Sequence, residues 1–115
     1  MCRSLLFKKM MSTGGVRVWL ADDPFMRSGG DLEDVTDAVH PDNRALAEDV
    51  AKLFGMKLVG MDFICQDVAR PWKEQACAIL ELNSLPSIEM HHHPSYGSPR
   101  DVAGAIADMA VRYYR

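Results

Sequence analysis

The chain has 115 residues, enough for one small domain at most. Hydrophobic residues make up 48% of it and charged residues 25%, and a net charge of -3 without a basic run argues against nucleic acid and anionic membranes as partners. No apolar run approaches the roughly 20 residues that cross a bilayer, and the apolar patch near the amino terminus is too short for a secretory signal.

The amino-terminal third is predicted to contain one strand and a long loop. Residues 1–15 are poorly patterned, whereas residues 16–20 alternate in polarity and have high β-propensity. Residues 21–40 are rich in Asp and Gly, and Ser28-Gly29-Gly30 marks a turn among them. We therefore expect the folded domain to extend from Val16 to the carboxyl terminus.

A helix is predicted next, from Pro41 to Phe54. Proline suits the first helical position, and Gly55 suits the left-handed conformation that ends a helix. Apolar residues recur between them at helical spacing, so one face of the helix should be buried. The predicted buried residues are Leu46, Val50, Leu53 and Phe54.

Two strands separated by an exposed turn are predicted to follow this helix. Residues 57–66 and 76–83 are mainly apolar and β-prone, and the connecting residues 67–75 contain Pro71 and several charges. Strands joined by a connection of this length most simply pair as an antiparallel hairpin.

The carboxyl-terminal part is predicted to be a loop followed by a second helix. Residues 84–98 contain two prolines, a glycine and three consecutive histidines, which favour a loop. Ser98-Pro99 is typical of a helix start, with Asp101 in the first turn. The predicted buried stripe is Val102, Ile106, Met109 and Tyr113. The fold class is therefore expected to be α+β, a small antiparallel sheet with helices on one face.

Three oxygen-bearing side chains fall on the two strands of the predicted hairpin. Side chains alternate between the faces of a strand, so Glu81 and Asn83 share a face, with Cys77 and Ile79 as companions. Asp62 would join them if the strands pair near these positions. Two carboxylates and an amide oxygen suit Mg2+, which takes its remaining ligands from water and phosphates. The pattern therefore predicts a magnesium site.

An alternative for these carboxylates is a place at the strand ends, where they are solvated or paired with Lys or Arg, because a buried carboxylate needs a partner. Gly60, on the face of Asp62, indicates either the close approach of another backbone or a ligand, or a β-bulge.

Two motifs around these residues resemble the final third of an ATP-grasp domain. They are residues 58–64 (LVGMDFI) and residues 79–86 (ILELNSLP). In that superfamily an acidic residue on one strand and a Glu-x-Asn on the next ligate the magnesium ions of ATP. The resemblance therefore implies that Asp62, Glu81 and Asn83 are magnesium ligands and that the cofactors are ATP and Mg2+.

More specifically, the chain resembles cyanophycin synthetases and the ATP-grasp module of bifunctional glutathione synthetases, from about residue 16 to the end. The ordered matches are Asp34-Val35-Thr36-Asp37, His40-Pro41-Asp42-Asn43, Gly60-x-Asp62, Glu81-x-Asn83, His91-x-His93-Pro94 and Gly97-x-Pro99-Arg100. Such enzymes phosphorylate a carboxylate with ATP and let an amine attack the acyl phosphate. The resemblance implies a carbon–nitrogen ligase whose substrates are amino acids or peptides.

The resemblance covers the carboxyl-terminal lobe of the family's domain. A full ATP-grasp unit also has an upstream lobe with phosphate-binding lysines, an adenine-binding hinge and a lid loop, and none of these is found before Val16. We therefore expect a fragment. It is either part of a ligase, a half-enzyme completed by a partner chain, or a truncated, non-catalytic remnant. Such a remnant would bind metal or nucleotide weakly or would simply fold, and exposed apolar surface would favour its self-association.

The turn at Ser28, Gly29 and Gly30 is a candidate phosphate cradle built from backbone N–H groups, although a glycine pair is more often only a turn. The family has an Asn-x-Ser-Thr-like segment before its glycine pair, whereas this chain has Phe25-Met26-Arg27-Ser28. Arg27 is therefore the candidate contact to a phosphate or a substrate carboxylate.

The consecutive histidines His91, His92 and His93 have three interpretations. The family resemblance places the loop beside the substrate, where His91 and His93 would position a carboxylate or an amine. A His-x-His pair also suits zinc, and an exposed polar loop is the remaining alternative. Arg100 is the candidate for a catalytic or anion-binding role at the start of the last helix, or else a surface arginine. No residue is an obvious general base.

Three cysteines without a CxxC spacing favour a reducing, cytoplasmic setting. Cys65 and Cys77 are predicted to be neighbours across the hairpin. They are also expected to be buried and inert, because no His or basic group is placed to activate either thiol.

Overall fold

The computed structural model describes residues 8–10 and 32–114, so the predicted strand from Val16 to Leu20 and the predicted Ser28-Gly29-Gly30 turn lie outside the described residues. The elements in chain order are β1 (Lys8–Met10), β2 (Leu32–Asp34), a 3-10 turn (Thr36–Ala38), α1 (Pro41–Leu53), β3 (Gly60–Cys65), a second 3-10 turn (Trp72–Glu74), β4 (Cys77–Asn83), α2 (Glu89–His92) and α3 (Val102–Tyr113). The predicted α+β class is confirmed. None of the helices in residues 32–114 has the length and apolar character needed to cross a membrane.

Two antiparallel pairs of strands form the sheets. β3 and β4 make the predicted hairpin. β1 lies in residues 1–15, for which no element is predicted, and it pairs with β2. β2 is also bonded to the loop before α3, where Asp34 N–H donates to the Tyr96 carbonyl and Tyr96 N–H donates to the Leu32 carbonyl, both at 2.9 Å. The amino-terminal strand pair and the carboxyl-terminal loop are therefore joined through β2.

Helix α1 begins and ends close to its predicted limits. His40 caps it, since its ring Nδ1 accepts a hydrogen bond from Asp42 N–H at 3.1 Å, and Gly55 ends it at a φ of +63°. The buried face differs from the prediction, however, because Leu53 and Phe54 are exposed. The residues that face the interior are the polar Asn43 and the small Ala47, which packs against Val39, Val35, Met61 and Val68.

Asn43 anchors the turn between β3 and β4 to the first turn of α1. Its side chain is 1% exposed. Its Nδ2 donates to the carbonyls of Val68 (2.9 Å) and Arg70 (2.8 Å), and its Oδ1 accepts from Trp72 N–H at 2.8 Å. A buried amide is tolerated here because all these polar groups are paired.

A second polar anchor joins β2 to the segment before α3. The side chain of Asp34 is only 6% exposed, and its Oδ2 accepts from Arg100 Nε at 2.8 Å. Arg100 Nη2 also contacts Asp37 Oδ2 at 2.7 Å, while Thr36 donates through its N–H and its hydroxyl to Asp34 Oδ1. Burial acts to raise the pKa of Asp34, but the hydrogen bonds from Arg100 and Thr36 together outweigh it and lower the pKa below its usual value. The hydrogen bonds to Asp37 and Asp34 raise the pKa of Arg100.

Gly97 allows this close packing. It has a φ of +89°, and a Cβ there would lie 2.8 Å from the Asp34 carbonyl oxygen. Helix α3 then starts at Val102 rather than at Ser98-Pro99, and Asp101 is its N-cap rather than a first-turn residue, because its Oδ1 accepts from Gly104 N–H at 2.8 Å. Of the predicted stripe on α3, Val102 is buried, Ile106 and Met109 are half-buried, and Tyr113 is exposed.

We predict that Asn43→Ala lowers the free energy of unfolding by about 2–4 kcal/mol, because it removes the three hydrogen bonds of a buried amide and leaves the Trp72 N–H without this partner. Urea denaturation followed by circular dichroism measures this loss. Asp49→Ala is the control on the same helix, since its exposed pair with Lys52 should contribute less than about 1 kcal/mol. An equal loss in both variants would contradict the anchoring role of Asn43.

We predict that Asp34→Asn destabilises the protein at neutral pH and much less in acid. The folded pKa of Asp34 lies below its unfolded value, so its ionised form contributes stability that is present above the unfolded pKa of about 4 and lost as the pH falls through the folded pKa. Unfolding free energies of both proteins, measured from about pH 6 to pH 3, should therefore converge. A difference that does not change with pH would be inconsistent with an ionised Asp34.

Candidate functional site

The hairpin register brings the three predicted ligands to one face. Asp62 lies directly opposite Glu81, and Gly60 lies opposite Asn83. Opposed residues of an antiparallel pair point to the same side with Cβ atoms about 5 Å apart, and diagonal neighbours are about 7–8 Å apart. Asp62, Glu81 and Asn83 therefore form a compact oxygen-rich patch, and all three are exposed.

A β-bulge interrupts the ladder next to this patch. Phe63 is opposite Ile79, so Leu80 is an extra residue on β4. The prediction that Cys77 and Ile79 share the face of Glu81 is therefore wrong. The extra residue reverses the alternation, so that Cys77 and Ile79 lie on the other face with Phe63. Strict alternation along the sequence carries no signal of such a reversal.

Gly60 supports the turn that follows β4. A Cβ at Gly60 would lie 2.7 Å from the Cβ of Pro86, so this glycine reflects a close approach rather than the bulge. Asn83 Oδ1 accepts from Leu85 N–H at 2.9 Å, which fixes the orientation of the amide. A carbonyl oxygen has a second lone pair, so Asn83 Oδ1 retains the capacity to contact a cation.

The electrostatics of the patch are suited to a cation. Asp62 and Glu81 are opposed carboxylates, and no ion pair to either is formed within residues 32–114. Like charges directly opposite in a ladder are destabilising, and a bound cation would offset this repulsion. Residues 32–114 contain no cluster of three or more His, Cys, Asp or Glu side chains placed to hold a metal. Mg2+ would therefore need ligands beyond those that residues 32–114 supply, as it does when phosphates complete its shell.

The histidine segment, predicted to be part of a loop, contains a short helix. Residues Glu89–His92 form α2, and the His91 carbonyl accepts from Arg100 N–H at 2.8 Å. His92 Nε2 accepts from Ala103 N–H at 3.2 Å, so this ring helps to cap α3, a role that the spacing did not indicate. Among the described residues, His91 and His93 are not part of any cluster of three or more His, Cys, Asp or Glu side chains that could hold a metal ion. Their contact with substrate stays a prediction.

Of the other predicted site residues, the structure describes Arg100 but not those of the Gly-rich turn. The Arg100 guanidinium is engaged by Asp34 and Asp37, so an anion could use it only by sharing or displacing these carboxylates. Arg27, Ser28, Gly29 and Gly30 lie outside the described residues. The sequence pattern gives no sign that Asp34 and Asn43 are structural anchors, although both lie in motifs that carry the family resemblance.

Comparison with known proteins gives consistent matches. Cyanophycin synthetase from Trichormus variabilis is 43% identical over 84 residues, which cover 73% of this chain and 9% of that protein. The glutathione biosynthesis bifunctional protein GshAB from Clostridium perfringens is 30% identical over 101 residues, covering 88% of this chain and 13% of that protein. No protein-family profile matches the chain.

A solved structure agrees with these sequence matches. The crystal structure of a bifunctional glutathione synthetase from Pasteurella multocida superposes with a TM-score of 0.72 and 27% identity, over 82% of this chain and 13% of that one. The chain thus spans only about a tenth of the length of the relatives that it matches.

We predict that Gly60→Ala destabilises the hairpin by about 1–3 kcal/mol, because the new methyl group overlaps Pro86. Pro86→Gly in the same chain should recover part of this loss, since it removes the overlapping atoms. A double-mutant cycle from urea denaturation measures the coupling. Purely additive effects would show that the two residues are not in contact.

Proposed function

We propose that this chain, a carboxyl-terminal part of an ATP-grasp domain that belongs with the cyanophycin synthetases and bifunctional glutathione synthetases, supplies the magnesium-binding end of a ligase nucleotide site. The observation that carries the proposal is the direct pairing of Asp62 with Glu81, with Asn83 on the same exposed face. A bound Mg2+ would neutralise charge on the phosphates of ATP.

Each of the three residues has a distinct part in this proposal. The carboxylates of Asp62 and Glu81 supply negative charge from two strands whose register fixes their separation. Asn83 supplies a neutral oxygen, oriented by Leu85 N–H, so that the site does not gain a third negative charge. Pro86 against Gly60 holds the turn that carries this contact.

The proposed reaction joins a carboxylate to an amine, with amino acids or peptides as substrates. The carboxylate takes the terminal phosphoryl group of ATP and ADP leaves, and the amine then displaces phosphate from the acyl phosphate to form an amide. Catalysis of this kind depends on positioning and on charge neutralisation more than on a general base. This agrees with a patch made of carboxylate and amide oxygens alone.

The exposed apolar surface favours a second candidate, a half-enzyme or remnant that needs a partner. The buried hydrophobic residues among those described are only Leu32, Val39, Ala47 and Val102. Large hydrophobic side chains are exposed at the end of α1, on the β3–β4 hairpin and the turn after it, and at the end of α3. They include Leu53, Phe54, Ile64, Leu80, Leu85, Val111, Tyr113 and Tyr114. Surface of this extent is typical of an interface with another lobe or chain.

We predict that the whole chain binds a non-hydrolysable ATP analogue only when Mg2+ is present, and that Glu81→Gln weakens this binding at least about tenfold by removing one charged ligand. Isothermal titration calorimetry measures the affinity. Binding of Mn2+ in place of Mg2+, followed by electron paramagnetic resonance, gives a readout that does not depend on nucleotide.

The matched control is Glu74→Gln, an exposed carboxylate of the turn between β3 and β4, which should leave the affinity unchanged. Circular dichroism establishes that each variant is folded. A folded chain that binds Mn2+ but no nucleotide would favour the half-enzyme. A folded chain that binds neither would contradict the metal site and favour the non-catalytic remnant.

A further inference from the structure

We propose that Cys65 and Cys77 form a site of reversible disulfide formation, in which a small-molecule disulfide oxidises the two thiols to a cross-strand bond. The inference does not depend on the proposed ligase function, because it rests on the geometry of the hairpin at the end away from Gly60 and Asn83.

The two cysteines lie directly opposite each other. They are the last pair of the β3–β4 ladder, neither is part of a disulfide, and both are half-buried rather than buried. Opposed residues of antiparallel strands have Cα atoms about 4.5–5.5 Å apart, within the range of about 4.4–6.8 Å that a disulfide requires. The pair can therefore be bridged without a rearrangement of the strands.

The bulge at Leu80 creates this juxtaposition. Without the extra residue, the pairing that begins with Asp62 and Glu81 would place Cys65 opposite Ala78, and Cys77 would point to the other face. The two thiols share a face only because the register shifts by one residue between Asp62 and Phe63. The bulge thus brings the two thiols within reach of each other as well as changing the strand geometry.

The connection between the strands is organised so that the cysteines stay close. Gln75 closes it, because its Oε1 accepts from Asp67 N–H and its Nε2 donates to the carbonyls of Asp67 and Arg70, all at 2.8 Å. Cys77 Sγ donates to the Trp72 carbonyl at 3.3 Å. These contacts reduce the entropy that would be lost when the loop is closed by a covalent bond.

The chemistry is a two-step exchange with a disulfide such as oxidised glutathione. The thiolate of one cysteine attacks a sulfur of oxidised glutathione, and one glutathione thiolate leaves and takes up a proton. The thiolate of the second cysteine then attacks the protein sulfur of this mixed disulfide and releases the second glutathione. Two electrons and two protons pass from the cysteine pair to glutathione, and reduced glutathione in excess reverses both steps.

Oxidation would fix the register of the hairpin. A covalent link at Cys65 and Cys77 confines the extra residue to the three positions of β4 that lie between Cys77 and Glu81. The bulge could then not migrate past the cysteine pair. Because the cross-link also restricts the unfolded chain, the oxidised form should be the more stable one.

The test uses the full chain with Cys2→Ser, so that only the pair can react. Equilibration in glutathione redox buffers gives the effective concentration of one thiol toward the other. It should be at least about tenfold higher in the native protein than in concentrated guanidinium chloride. Trypsin digestion should yield residues 58–73 joined to residues 74–100. The melting temperature of the oxidised form should rise by about 5 °C or more.

Cys65→Ser and Cys77→Ser, each in the Cys2→Ser background, are the matched controls and should yield only a mixed disulfide with glutathione. Cys65→Ala and Cys77→Ala replace them if serine disturbs folding. Two outcomes would overturn the proposal. One is glutathione on both cysteines without a link between residues 58–73 and 74–100. The other is an effective concentration that is no higher in the native protein than in the denatured one.

Discussion

The nearly buried carboxylate of Asp34 is the contact on which the arrangement of residues 32–114 most depends. It binds Arg100, which is 66 positions later in the chain, and it also accepts from Thr36. The same residue donates its backbone N–H to Tyr96 and packs against Gly97. A buried charge without partners would oppose folding, so these hydrogen bonds are what make its position in β2 stable.

The motifs that resemble those of cyanophycin synthetases divide into anchors and a candidate site. Asp34, Asn43 and Arg100 hold segments of the fold together through buried or partly buried polar contacts. Asp62 and Glu81 instead lie on an exposed face and form no ion pair within residues 32–114. The anchors account for the stability of the fold, whereas the exposed oxygen patch is the part of these motifs that folding alone does not explain.

Two features of the described residues are suited to further binding, one to a cation and one to another lobe or chain. One is the pair of opposed carboxylates, whose mutual repulsion a cation would relieve. The other is the apolar surface at Leu53, Phe54 and Tyr113, which includes residues that helical spacing predicted to be buried. Both are consistent with the small share of each relative's length that the chain spans, about a tenth.

The sequence by itself determined the elements whose signals are local. Proline and glycine set the limits of α1, two β-prone runs separated by a polar turn predicted the hairpin, and two-residue spacing placed Glu81 with Asn83. The tertiary structure alone decided which groups are buried and where alternation fails. Asn43 is buried because it bonds to carbonyls 25 and 27 residues away, and Leu80 forms a bulge that reverses the face of Cys77. Periodicity describes neighbours along the chain, whereas these outcomes depend on partners that only the fold brings together.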